Sequence, residues 1–141
     1  MAFRNISHIA GSAMTAQAVR LNTIASNLAN ANTAAGSEAE VYRARKPVFA
    51  AVAERHGLVG GQIPGASVRV LDVVQSTEPV RKVYEPDNPL ANEEGIVFYP
   101  NVNPVAEMTD MMAASRAFET NVEVMSRVKS MQQALLRLGE E

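Results

Sequence analysis

Leu21-Asn22-Thr23-Ile24-Ala25-Ser26-Asn27-Leu28-Ala29-Asn30-Ala31-Asn32-Thr33 is the stretch on which the fold turns. Followed back towards the N-terminus, Ala10, Met14, Gln17, Leu21, Ile24, Leu28 and Ala31 succeed one another at steps of four and three, along one side of a helix. A seam this narrow suits packing against a partner helix. Ala25, Ser26, Asn27, Ala29 and Asn30 stand beside it where a surface helix usually carries charge, and no Asp or Glu precedes Glu38. Such a helix is not dressed for water on its remaining faces, so protein is expected on several sides of it. It is predicted to begin near Asn5, a capping residue type, and to fade near Asn32. About 28 residues at ~1.5 Å each make a rod of roughly 40 Å.

A second long helix is predicted at the other end. Pro100-Asn101-Val102-Asn103-Pro104 launches it, with Asn103 as N-cap, Pro104 at the first helical position and Glu107 in the first turn. Met108, Met112, Ser115, Phe118, Val122, Met125, Val128, Met131, Leu135 and Leu138 follow at steps of three and four, and Gly139 stands at the end. At some 35 residues it extends for about 50 Å. The two seams are read as packing on each other in an antiparallel, coiled-coil-like pair.

Between the helices the texture changes. Pro47–Val52, Ser67–Val74, Pro79–Tyr84 and Gly95–Tyr99 are β-branched runs with partial alternation. Gly57–Gly61 and Ile63-Pro64-Gly65 read as turns, and Pro86–Glu94 as a loop. The fold class is therefore α+β, with a small, elongated β-hairpin region that leans on its neighbours. The expected division is 1–35 for the N-terminal helix, 36–102 for the β region and 103–141 for the C-terminal helix, with Thr33–Ser37 as a small-residue linker.

Composition narrows the function. With 141 residues, 47% hydrophobic, 20% charged and a net charge of −2, the chain has neither the character of a disordered protein nor the basic excess of a nucleic-acid binder. The absence of cysteine excludes disulfides and thiolate zinc sites. No apolar run is long enough to span a membrane, and no cleaved signal peptide is expected. His8 and His56 lack a metal-ligand pattern around them, and Gly57-Leu58-Val59-Gly60-Gly61 lacks the Lys-Ser or Lys-Thr of a phosphate loop. Glu93-Glu94 and Glu140-Glu141 read as solvated charge. The cluster Arg43, Arg45 and Lys46 is balanced by Glu38 and Glu40. No enzyme, metal or cofactor is expected.

Met108, Met111, Met112, Met125 and Met131 admit two readings, ordinary helix core or an adaptable contact surface of thioethers. Asn27, Asn30 and Asn121 are read as bonding across helices and fixing register, because charge is so scarce around the first two. The candidate helix-packing and subunit-interface residues are thus Met14, Leu21, Ile24, Asn27, Leu28 and Asn30 on the first helix. On the second they are Met108, Met112, Phe118, Asn121, Val122, Met125, Met131, Leu135 and Leu138.

Ile24–Thr33 resembles the N-terminal signature of bacterial flagellar rod and hook proteins. Asn101–Val105 and Ala114–Glu123 are similar to the C-terminal portion of the proximal-rod branch of that family, and Tyr42–Phe49 with Tyr99–Asn103 point to the same branch. Phe118 departs from a frequent tyrosine but keeps the ring, and Ala51–Gly65 matches in character only. The resemblance implies a structural subunit of the basal-body rod, the drive shaft that crosses the periplasm, transmits torque and encloses the export channel. It implies export by the flagellar type III apparatus without signal cleavage, terminal helices packed around an axial channel, and as partners the chain itself, FlgB, FlgF, FlgG and FliE. Neither nucleic acid nor direct membrane insertion belongs to that picture.

The residues add an expectation of their own. Each helix seam serves the other, so the remaining weakly charged faces would be covered by stacking copies head to tail into an open helical tube. The termini are expected to be largely unstructured before assembly and to fold on incorporation. The alternative is a free-standing helical adaptor or oligomerisation module, which would form a stable small oligomer. A membrane-surface helix would need a polar face rich in Lys and Arg, and the first helix offers only Arg4 and Arg20.

Overall fold

In the computed structural model, which describes residues 2–53 and 65–139, the order of elements is α1 (Ala2–Asn30), β1 (Arg45–Ala53), β2 (Ala66–Gln75), β3 (Arg81–Tyr84), β4 (Ile96–Tyr99) and α2 (Pro104–Leu138). Both long helices and all four strands fall where the periodicity places them. The turn signals from Gly57 to Pro64, and His56, lie outside the described residues.

α1 starts at Ala2, ahead of Asn5, so Asn5 does not cap it. Its first turn holds no acid and its last turn no base, so neither end complements the helix dipole. Tertiary packing must hold such a helix, and two neighbours supply it. α2 runs along one side, covering a seam in which Ala10, Ile24 and Ala31 are buried and Met14, Gln17, Leu21 and Leu28 half-buried. The β1–β2 pair lies along another, where the Ser12 hydroxyl accepts the Val68 N–H at 3.1 Å. The scarcity of charge in α1 thus has its cause in protein on two sides.

Asn103 caps α2 as expected, its Oδ1 accepting the N–H groups of Val105 and Ala106 at 3.1 and 3.3 Å. Gly139 closes the helix in a right-handed conformation (φ −87°, ψ −7°), without the left-handed turn its type allows. The helices are antiparallel, since Asn27 meets Glu107 while Arg20 meets Asp110, so α1 runs down as α2 runs up.

The α2 seam differs from the expected one. Its buried residues are Glu107, Ala114 and Val128, and half-buried Met111, Phe118, Asn121 and Met125 complete the same 4–3 stepping. Phe118 and Met125 are half-buried on this line. Met108, Met112 and Val122 are exposed on another side of the helix, and do not belong to the intramolecular seam. The physical reason is close approach: Ala114, with 0% exposure, lets the two backbones come together, and this rotates the larger methionines outward. Met131, Leu135 and Leu138 are exposed for a different reason. α1 has 29 residues and α2 has 35, and every residue from Lys129 to Gly139 is exposed because α2 outruns its partner.

β1 and β2 pair antiparallel from Arg45↔Gln75 to Ala53↔Ala66, with a bulge that leaves Leu71 unpaired opposite Val48 and Phe49. The extra residue bends the pair as it follows the helix. β3 and β4 pair from Arg81↔Tyr99 to Tyr84↔Ile96. Ala35, in the linker after α1, bridges β4 by exchanging both N–H···O bonds with Phe98 at 2.9 Å. Val41, Val80 and Phe98 form the small core there, with Ala35 and Ile96 packed on it. Gly95 turns into β4 at φ +76°, and a Cβ there would sit 2.8 Å from the Tyr84 ring. Glu38 ties the linker down by pairing with Arg43 and Lys82, each at 3.3 Å.

Candidate functional site

The chain's polar side chains converge at one place, where α1, the segment before β1 and the start of α2 meet. Asn27 lies at its centre, beside the α1 seam, with 1% exposure. Its Oδ1 accepts the Arg45 N–H at 2.9 Å and the Tyr42 hydroxyl at 2.8 Å. Its Nδ2 donates to the Arg45 carbonyl at 2.9 Å and to Glu107 Oε2 at 3.1 Å. Two acceptor lone pairs and two amide hydrogens are the full capacity of an asparagine, and all four are used. Ser26 Oγ lies 3.0 Å from the Tyr42 hydroxyl, and the Arg45 guanidinium stacks 5.3 Å from the Tyr42 ring centroid.

A second asparagine holds the neighbouring residue. Asn101 Oδ1 accepts the Ala44 N–H at 2.8 Å, while its Nδ2 donates to the Glu78 carbonyl at 2.9 Å. The Ala44 carbonyl in turn accepts the Ser76 N–H at 2.7 Å. Two consecutive residues, Ala44 and Arg45, are therefore clamped by amides from opposite ends of the chain. A buried backbone group without a partner costs about 1–3 kcal/mol, so this junction sets where α1, the β region and α2 meet.

Of the asparagines expected to bond across helices, only Asn27 does so. Asn30 Nδ2 donates to the Ser26 carbonyl and Asn121 Nδ2 to the Ala117 carbonyl, each at 2.8 Å within its own helix. One turn of backbone offers an i−4 carbonyl to any such side chain. The sequence reading missed Glu107, Tyr42 and Arg45 as members of the junction. Glu107 looked like a residue complementing a helix dipole; its burial against an asparagine is visible only once the helices are paired. Three of the segments singled out by motif, 24–33, 42–49 and 99–105, meet here.

Among the described residues no group of three or more His, Cys, Asp and Glu is placed to hold a metal ion, and no helix is long and apolar enough to cross a membrane. Two members of the basic cluster are engaged structurally: Arg43 pairs with Glu38, and Arg45 stacks on Tyr42. Further along, the Tyr99 hydroxyl donates to Glu85 at 3.1 Å under the Arg81 guanidinium, which stacks 5.0 Å from the ring centroid. Burial, followed by the bond and charge of Glu85, pushes the Tyr99 phenol above its ordinary value.

What remains open is helix surface. Val105, Met108, Met112 and Val122 are exposed on α2, followed by Met131, Leu135, Leu136 and Leu138 beyond the reach of α1. α1 exposes a row of small or uncharged residues, Thr15, Asn22, Ala25 and Ala29.

Residues 8–34 match a family described as flagella basal body rod protein, and residues 93–138 match the C-terminal family of flagellar basal body rod FlgEFG proteins. The chain is 49% identical over 140 residues to the flagellar basal-body rod protein FlgC of Escherichia coli O6:H1, covering 99% of this chain and 100% of that one. It is 46% identical over 140 residues to FlgC of Salmonella typhimurium, with the same coverage. To FlgC of Bacillus subtilis it is 32% identical over 143 residues, covering 94% of this chain and 95% of the other.

Proposed function

We propose, for a chain that belongs to the FlgC family of flagellar basal-body rod proteins, that α1 and α2 are the parts by which it joins the rod. The chain is a structural subunit of the flagellar rod and hook family. The finer reading is that copies assemble through the terminal helices into the helical, tubular shaft that transmits torque and encloses the export channel. FlgB, FlgF, FlgG and FliE are its neighbours in that assembly. The chain reaches the periplasm through the flagellar type III apparatus without signal cleavage.

One observation carries this reading. The α1–α2 pair satisfies its own seam and still exposes Val105, Met108, Met112 and Val122 in one stretch and Met131, Leu135, Leu136 and Leu138 in another. Large apolar residues in rows at helical spacing mark contact surface. The interface then comprises this outer set, while Met14, Leu21, Ile24, Asn27, Leu28, Phe118 and Met125 build the pair that presents it. Ordering two long helices costs ~1–2 kcal/mol per residue, and the thin intramolecular seam offsets only part of that. The helices therefore gain their full order on incorporation, which accounts for apolar faces left open in a single copy.

The test is incorporation. The chain, expressed in a flagellated bacterium in place of its own FlgC, is expected in isolated basal bodies and to support motility. Met108→Asp with Met112→Asp is expected to abolish both while leaving the chain exported. Limited proteolysis of the purified chain should cut the terminal helices before the β region. A protease-resistant small oligomer that never enters basal bodies would overturn the rod reading in favour of a free-standing adaptor.

A further inference from the structure

We propose that Met108 and Met112 form an oxidation site. Hypochlorous acid, a two-electron oxidant, converts their thioethers to sulfoxides, and these keep the chain out of the rod until they are reduced. The proposal rests on the assembly reading above and adds a regulation to the surface named there.

The first observation is chemical. The chain contains neither cysteine nor tryptophan, so with no thiol or indole present the thioethers of its seven methionines are the groups such an oxidant attacks most readily. A sulfur lone pair attacks the chlorine of hypochlorous acid and displaces hydroxide. Water then adds at sulfur as chloride leaves and two protons are released, one of them neutralising the hydroxide. Sulfur is oxidised by two electrons, chlorine is reduced to chloride, and the product is a sulfoxide that methionine sulfoxide reductases return to the thioether.

The second observation is placement. Met14, Met111 and Met125 are half-buried in the helix pair, whereas Met108 and Met112 are 56% and 59% exposed. Four positions apart on one helix, these two lie a turn from each other on the same face. With Val105 and Val122 they make up the first of the two exposed apolar stretches of α2, so half of its large side chains are thioethers. Met131 is exposed as well, but it stands with Leu135, Leu136 and Leu138, which the oxidant leaves apolar.

The third observation is what this face lacks. Val105, Met108, Met112 and Val122 carry no side-chain donor, and the nearby Thr109 hydroxyl donates to the Val105 carbonyl of its own helix at 3.0 Å. A sulfoxide oxygen placed here finds no donor on its own chain, and a contact made through the face would bury it unpaired. The oxidised side chains are polar where the thioethers were apolar and adaptable. A subunit already in the rod has this face covered, so the site acts on subunits still arriving.

The test is a competition inside one cell. The parent chain and Met108→Leu/Met112→Leu are produced together in cells lacking their own FlgC, and their ratio in isolated basal bodies is read by mass spectrometry. The ratio without oxidant is the reference, so any effect of leucine itself and of damage to other components cancels. Rods built during exposure to hypochlorous acid are expected to be enriched about tenfold in the leucine form, because the unpaired sulfoxide is excluded. Overproduction of a periplasmic methionine sulfoxide reductase should restore the reference ratio. Peptide mapping of the unincorporated chain should find sulfoxide at Met108 and Met112. An unchanged ratio while the unincorporated chain carries both sulfoxides overturns the proposal, as does no sulfoxide there at doses that oxidise Met125. Enrichment that the reductase does not reverse overturns it too, and each of these results leaves the rod reading standing. Absence of the parent chain from basal bodies without oxidant overturns the rod reading instead. If the double leucine form is not incorporated, Met112→Leu alone takes its place in the same competition, where enrichment supports the site and an unchanged ratio overturns it.

Discussion

The side-chain amide of Asn27 pairs with the main chain of Arg45 as a neighbouring strand would, accepting its N–H and donating to its carbonyl, both at 2.9 Å. A helix residue thereby starts β1, and the same amide reaches Glu107 on α2. One buried side chain fixes the relative placement of three parts of the fold, so its chemistry has no close substitute.

Asn27→Asp removes both donors and sets a second carboxylate against buried Glu107. We expect a loss of about 3 kcal/mol or more, from an unpaired Arg45 carbonyl and from burial of like charges. The measurement is the urea midpoint of assembled material followed by far-ultraviolet circular dichroism. A midpoint within error of the parent would show that Asn27 does not hold the junction.

Ala114 and Val122 separate the inner seam from the outer surface. Ala114→Leu inserts three carbons where exposure is 0%, and should push α1 and α2 apart at a cost of about 1–3 kcal/mol. Val122→Asp, on a residue 44% exposed, should leave the stability of the helix pair nearly unchanged yet reduce incorporation into basal bodies. Equal effects of the two on thermal unfolding would remove the distinction between seam and surface.

Gly95→Ala tests the turn into β4. At φ +76° an added Cβ costs roughly 1 kcal/mol in backbone strain, and it would also press on the Tyr84 ring. Tyr84 is exposed and can swing away, so the backbone term should dominate. Amide exchange at Val97 and Phe98 should accelerate about fivefold or more, while exchange within α1 is unaltered. Global acceleration would mean the β3–β4 pair is not an independent unit.

Tyr99 supplies a pH dependence of defined sign. Its phenol titrates higher in the folded chain than in the unfolded one, so folding favours the neutral, protonated form. The stabilisation is fully present below the ordinary phenol range and is lost as pH rises through the raised folded value. Alkaline titration by tyrosinate absorbance should show a late step that disappears in Tyr99→Phe. Persistence of that step in Tyr99→Phe would assign it to another tyrosine.

The sequence alone determined the elements. The 4–3 stepping from Ala10 to Ala31, the Asn103-Pro104 start of α2 and the β-branched runs between them each encode a local conformation, because backbone periodicity and capping act over a few residues. The poverty of charge around Asn27 also announced a helix enclosed by protein, since desolvating charge is costly enough to shape composition. Which face of α2 turns inward was a tertiary decision. Met108, Met111 and Met112 offer apolar side chains on more than one face, so hydrophobicity does not orient that part of the helix. Close approach at Ala114 and the bond from Asn27 to Glu107 do, and both depend on a helix far away in the sequence. The overhang of α2 was equally invisible beforehand, because it follows from the register of two helices rather than from the pattern of either.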